Sequence, residues 1–192
     1  MQSRISQLIQ ASMDVKQRTL EDKQLIATVE AVVKAVVTAL REDKKILFCG
    51  NGGSAADAQH IAAELSGRFY HDRDPLFAEA LHVNTSYLTA VANDYSYDQV
   101  YSRLVKAKGR PGDVLVGIST SGNSGNIIEA LKMARAQGMV TVSMTGETGG
   151  KMRDLSDHLL NVPSKDTPRI QEVHILLGHI ICELVERELF PA

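Results

Sequence analysis

The sequence predicts an α/β fold: a three-layer α/β/α sandwich around a mainly parallel five-stranded sheet. Two observations carry this. From residue 45 onward, short apolar runs of strand length alternate with longer stretches of helical periodicity. Three successive strand ends, 50–54, 119–124 and 145–150, are rich in Gly, Ser and Thr, as expected where a parallel sheet binds a ligand at its carboxyl edge. The 192 residues read as a single domain, 1–192, with an N-terminal helical segment at 1–41 and an α/β core at 45–189. No tandem repeat, low-complexity tract or interdomain linker interrupts it.

The elements follow in order. Residues 1–41 contain neither Gly nor Pro and carry two helical stripes, one through Ile5, Leu8 and Ile9, the other from Leu25 to Leu40, with a break near Glu21 and Asp22. The second stripe is apolar on more than one face, which points to burial against another subunit. The apolar run 45–49 is the first strand, and Gly50-Asn51-Gly52-Gly53-Ser54 turns it into an Ala-rich helix. A polar loop at 68–75 leads to a second strand at 77–83, ending at Asn84. A short helix spans 85–92, Asn93 and Asp94 break it, and another helix covers 95–108. After the turn at Gly109, Pro111 and Gly112 comes the clearest buried strand, 113–118. The loop Ser119-Thr120-Ser121-Gly122-Asn123-Ser124 then starts a helix reaching about residue 137. Strands at 139–144 and 157–162 follow. Thr167 fits an N-cap with Pro168 in the first helical position of the longest helix, 168–189.

Composition narrows the chemistry. A formal net charge of −2 supplies no basic surplus for nucleic acid or an anionic membrane, so a phosphate-bearing ligand must be caught locally. Cys49 and Cys182 lie far apart without a CxxC pair and read as buried thiols in a reducing compartment. No basic-then-apolar leader opens the chain, and no apolar run approaches the roughly 18 residues of a membrane span. A cytoplasmic protein with no membrane or nucleic-acid partner is the expectation.

The turn at 50–54 exposes backbone N–H groups at a helix N-terminus, where an anion is the natural occupant. Gly50-x-Gly52-x-x-Ala55 loosely fits a dinucleotide fingerprint, but Asn84 stands where an acidic residue is required, and no Gly-Lys-Ser/Thr follows to make a Walker loop. The hydroxyls of Ser119, Thr120, Ser121 and Ser124 can wrap a phosphate monoester without a lysine; helix capping accounts for one hydroxyl, not four. His60 and Glu64, four apart, share one helix face and could handle a proton or a metal, although a packed His beside a solvated Glu is the bland alternative. On the last helix, spacing pairs His179 with Glu172 and only loosely with Gln171, and leaves His174 off that face. His71, His82 and His158 fall in no pattern. Asn93 and Asp94 read equally as a cap or a ligand segment. Arg68, Lys106, Lys108 and Arg169 read as solvated or ion-paired, and Tyr95, Tyr97 and Tyr101 as packed.

Five segments together resemble the sugar isomerase (SIS) domain family: CGNGGSAADAQHIAAELSGRF, VANDYSYDQVYSR, GDVLVGISTSGNSGNIIEAL, MTGETGGKM and RIQEVHILLGHIICELVE. More narrowly they are similar to its sedoheptulose 7-phosphate isomerase branch, over essentially the whole chain. The resemblance implies the SIS fold and a homotetramer with active sites at subunit interfaces. It also implies conversion of sedoheptulose 7-phosphate to D-glycero-D-manno-heptose 7-phosphate, towards lipopolysaccharide heptose. By motif, Ser119, Thr120, Ser121 and Ser124 match the family's phosphate loop. Asn51, Gly52 and Gly53, with Asn93 and Asp94, match substrate-contacting segments. Glu64 and His179 match the catalytic acid/base positions. His60, Glu64, Gln171 and His179 match a zinc site, with Gln171 also on the substrate. Here the family selects Gln171 where spacing selects Glu172. Two other classes stand beside the enzyme. One is a non-catalytic protein of the DnaA initiator-associating type, which lacks the counterparts of Glu64 and His179 and carries an Arg at the position of Ser121. The other is a sugar-phosphate sensor, which would need a DNA-binding extension that this chain has no room for.

Overall fold

The computed structural model describes residues 1–191. The chain forms α1 (Gln2–Glu21), α2 (Lys23–Arg41), β1 (Ile46–Gly50), α3 (Gly53–Ser66), β2 (Ala78–Ala80), α4 (Thr85–Asp94), α5 (Val100–Lys108), β3 (Val114–Ile118), α6 (Gly125–Ala136), β4 (Val140–Thr145), β5 (His158–Asn161) and α7 (Thr167–Leu189). The five strands are all parallel, in the order β2-β1-β3-β4-β5. The chain therefore leaves β1 towards one edge and returns as β3 on its other side. That reversal opens a crevice beyond the carboxyl ends of β1 and β3, where doubly wound sheets hold ligands.

Alternation along the strands builds two cores. Ile46 and Phe48 of β1, Val114, Val116 and Ile118 of β3, and Val142 and Met144 of β4 face α2, α3 and α7. Leu47, Cys49 and Leu115 face α4, α5 and α6, where Val91, Tyr101, Val105, Ile127 and Leu131 fill the second core. Burial on both faces is why these strands read as unbroken apolar runs. Both cysteines are buried free thiols, and burial pushes each pKa up to about 12, leaving them inert.

Of the boundaries that differ from the sequence reading, four have a clear local cause. The strand expected at 77–83 shortens to three residues, because β2 is an edge strand whose only neighbour is β1 and the chain turns away once Leu81 N–H reaches Phe48 O. Asn93 and Asp94 do not break the helix. They form its last turn, and Tyr95 ends it by donating to Val91 O. The helix expected from 95 begins as a 3₁₀ turn at Tyr97–Gln99 and becomes α-helical at Val100. The last helix starts one residue early, with Asp166 rather than Thr167 at the N-cap and Pro168 inside the first turn. The break between the first two helices lies where spacing put it: Asp22 caps α2 by accepting from Leu25 N–H at 2.9 Å.

The apolar surplus of α2 has a different use from the one expected. Leu25, Val29, Val32, Val33, Val36 and Val37 are buried within the chain, between the sheet and α7. Among the described residues, α1 carries the largest group of apolar side chains left in solvent: Ile5, Leu8, Ile9, Met13 and Leu20 point outward while Val15 and Thr19 face in. No helix among the described residues is long and apolar enough to cross a membrane.

Candidate active site

The crevice at the sheet's reversal is bounded by the turn after β1 and the loop after β3. Asn51 and Asn126 lock the two together by a reciprocal amide pair: Asn51 Nδ2 donates to Asn126 Oδ1 at 2.9 Å, and Asn126 Nδ2 returns to Asn51 Oδ1 at 2.8 Å. Tyr97 O–H donates to the same Asn51 oxygen at 3.1 Å, and the buried Tyr101 O–H donates to Gly50 O. Neither tyrosine merely packs; each fixes the glycine turn. Tyr97 stands three residues beyond Asp94, so it ties the exposed Asn93–Asp94 pair, itself joined by a 2.9 Å hydrogen bond, to the turn. Asn126 is the residue that spacing missed. An Asn in the first turn of a helix after a strand was its one signal in the sequence.

In the loop after β3 the hydroxyls converge. Ser119 Oγ lies 2.9 Å from Ser124 Oγ and 3.4 Å from Ser121 Oγ. Ser124 holds the N-cap position of α6 but makes no side-chain cap bond, so capping does not explain its hydroxyl. Beside this loop lies a cavity of about 200 Å³, lined by Thr120, Ser121, Thr148, Lys165 and Thr167 among others. Lys165 is the cation in that lining, and its Nζ pairs with Glu147 at 3.1 Å. The shape and hydroxyl content suit a compact oxyanion.

On the other side of the sheet, α3 and α7 cross closely. A Cβ on Gly178 would stand 2.5 Å from Ile61 Cδ1, so a larger residue there would need Ile61 to shift or the helices to part. It brings His60 and Glu64 of α3 against His179 of α7. His60 Nε2 is 2.9 Å from Glu64 Oε1 and 3.4 Å from His179 Nε2, with the two rings edge to face at 71°. Ligand atoms of all three lie within 4.8 Å of one another. Two imidazole nitrogens and a carboxylate are a zinc donor set. Zn–N bonds of about 2.0–2.1 Å in a tetrahedron set neighbouring nitrogens about 3.3 Å apart, close to the His60–His179 spacing. The residues fit such an ion.

Gln171 lies nearer the start of α7 than His179. Its amide lies against Gly53, where an added Cβ would be 2.5 Å from Nε2, and it sits two turns, about 12 Å of helix rise, before His179. Glu172, which spacing paired with His179, instead binds Arg169 at 2.7 Å. Arg169 also donates to Leu8 O at 2.6 Å and so ties α1 to α7. His174 faces the core, wholly buried, with Nε2 3.1 Å from Thr145 O; burial lowers its pKa to about 4, so it is a neutral structural residue. One half-buried carboxyl near the trio escaped sequence reasoning. Asp57 precedes His60 by one helical turn; burial raises its pKa while the charge of His60 opposes, and its Oδ2 has no hydrogen-bond partner among the described residues.

The SIS domain profile matches residues 10–146. A phosphoheptose isomerase of Aneurinibacillus thermoaerophilus is 53% identical over 182 residues, spanning 95% of this chain and 92% of the relative. That of Clostridium acetobutylicum is 50% identical over 190 residues, spanning 99% and 97%. The chain belongs to the phosphoheptose isomerase family of SIS-domain proteins. The solved structure of the Neisseria gonorrhoeae phosphoheptose isomerase superposes with a TM-score of 0.91 at 47% identity, covering 96% of this chain and 98% of that one. The family thus accounts for the five-stranded sheet and for the helices on both its faces.

Proposed function

We propose that this chain interconverts sedoheptulose 7-phosphate and D-glycero-D-manno-heptose 7-phosphate, the reaction its phosphoheptose isomerase relatives are named for, and so supplies heptose precursor for lipopolysaccharide. The observation that carries the reading is the meeting of Glu64 with His60 and His179 across two helices. Aldose–ketose isomerisation moves a proton between C1 and C2 through a cis-enediol and needs one group for the carbon-bound proton and another for the oxygens. A carboxylate and an imidazole whose polar atoms lie within 4.8 Å of one another suit that work near neutral pH. Glu64 and His179 take these roles.

The hydroxyls of Ser119, Thr120, Ser121 and Ser124 hold the phosphate, so binding energy from a group that does not react positions the carbons that do. Asn51, Gly52 and Gly53, the amide of Gln171, and Asn93 with Asp94 line the path of the sugar. A zinc ion held by His60, Glu64 and His179 would polarise the carbonyl and stabilise negative charge on its oxygen. From its place at Gly53, Gln171 serves the sugar; to act as the fourth zinc ligand that the resemblance implies, its amide would have to leave that glycine. The chain works as a cytoplasmic homotetramer with active sites between subunits, and the outward apolar face of α1 is the surface such an assembly would cover.

Glu64→Gln keeps size and leaves the phosphate contacts in place, but removes the base together with a charged zinc donor, so it is assayed with zinc in excess. In a coupled assay it should lose about 10²–10⁴-fold in kcat with KM little changed. Turnover near that of the parent would sink the assignment.

A further inference from the structure

The distance between Glu64 and His179 depends on how the ends of α3 and α7 are held, and one buried ion pair holds both. Arg73, in the loop after α3, and Glu186, on α7 two turns beyond His179, are 2% and 1% exposed, and Arg73 Nε donates to Glu186 Oε1 at 2.9 Å. A buried pair of this kind is costly unless every remaining donor and acceptor is satisfied. Here they are used. Glu186 also accepts the backbone N–H groups of Phe69, Tyr70 and His71 at 3.2, 2.8 and 3.0 Å. Burial alone would raise its pKa, but these bonds and Arg73 hold it below the usual carboxylate range, so it stays charged.

The other end of Arg73 reaches the site itself. A helix leaves its last four carbonyls without partners in the helix. Arg73 Nη2 donates to the carbonyl of Glu64 at 2.9 Å, and Nη1 donates to that of Leu65 at 2.8 Å. The segment that Glu186 gathers also carries Phe69, whose ring lies 5.8 Å from that of His179 at 32°. One guanidinium therefore grips the backbone of the base, and one carboxylate anchors the segment that lies over the imidazole.

We infer that Arg73 and Glu186 are positioning residues of this active site, a buried clamp that sets the spacing of Glu64, His60 and His179. The inference rests on the assignment of those three residues to the reaction. Arg73→Lys tests it, because lysine keeps the buried positive charge beside Glu186 but cannot span both carbonyls. Zinc affinity, read by chelator competition at full stoichiometry, should weaken about tenfold, in the range found when a group that orients a metal ligand is changed. The kcat per zinc-loaded site should fall about tenfold, with KM for the sugar phosphate within about twofold. A purely structural pair would lower the melting temperature and leave affinity and kcat per loaded site unchanged; that result overturns the inference. Should Arg73→Lys not fold, Glu186→Gln is read by the same measurements, with the same two outcomes. If the parent protein neither turns over nor takes up zinc, the functional assignment fails by itself. The clamp is then judged on metal-free protein by the imidazole ¹⁵N resonances of His60 and His179. Displaced resonances in Arg73→Lys support it, and unchanged ones refute it.

Discussion

His174 gives the fold a pH dependence that can be predicted from its surroundings. The side chain is wholly buried at the contact of α7 with β4, and burial lowers its pKa from 6.5 to about 4, with the hydrogen bond to Thr145 O opposing. Unfolded, the imidazole takes its proton near 6.5; folded, only near 4. Between those values the unfolded chain holds more protons, so stability falls as pH falls through that window. A shift of this size corresponds to about 3 kcal/mol, fully present above pH 6.5 and gone by about pH 4. His174→Gln retains an amide that can donate to Thr145 O but has nothing to titrate. Urea unfolding of both proteins at pH 7 and pH 4.5, at equal protein concentration, isolates the effect. The parent should lose about 2–3 kcal/mol more than the variant over that interval. Equal losses would refute the buried, neutral assignment.

Three further outcomes follow from the geometry. Ser124→Ala removes a hydroxyl that meets Ser119 rather than capping α6; steady-state kinetics should show KM for the sugar phosphate raised about tenfold, helicity unchanged and kcat within about threefold. Gly178→Ala puts a methyl group 2.5 Å from Ile61 Cδ1. Thermal melts should show a loss of about 1–3 kcal/mol, and zinc binding should weaken as α7 moves away from α3. Asn126→Ala breaks the reciprocal pair with Asn51, and a kcat/KM reduced about tenfold at unchanged zinc affinity would show that the pair orders the substrate turn rather than the metal side.

What could be read from the sequence was local. The strand–turn–helix at 46–66, the five strands and the serine loop each carry their signal within about twenty consecutive residues. His60 and Glu64 were legible as a pair for the same reason, being one turn apart on one helix. Contacts between distant elements were not. His60 and His179 are 119 residues apart, and nothing in either helix alone shows that Gly178 lets them approach. Helical angle paired Glu172 with His179, but Arg169, one turn earlier, claims that carboxylate. Arg73 and Glu186 look like surface charges in the sequence; their burial follows only from the loop at 67–74 folding over the end of α7. The apolar faces of the second helix suggest an interface in the sequence, yet a helix lying between a sheet and another helix needs two apolar faces within its own chain.

Glu64, His60 and His179 are proposed to form a metal-assisted isomerase centre. A coupled turnover assay with sedoheptulose 7-phosphate, on purified protein stripped of metal and again after adding zinc, tests it most directly. Little turnover is expected from the stripped protein, with recovery on adding zinc. A folded protein that turns over nothing in either state would contradict it.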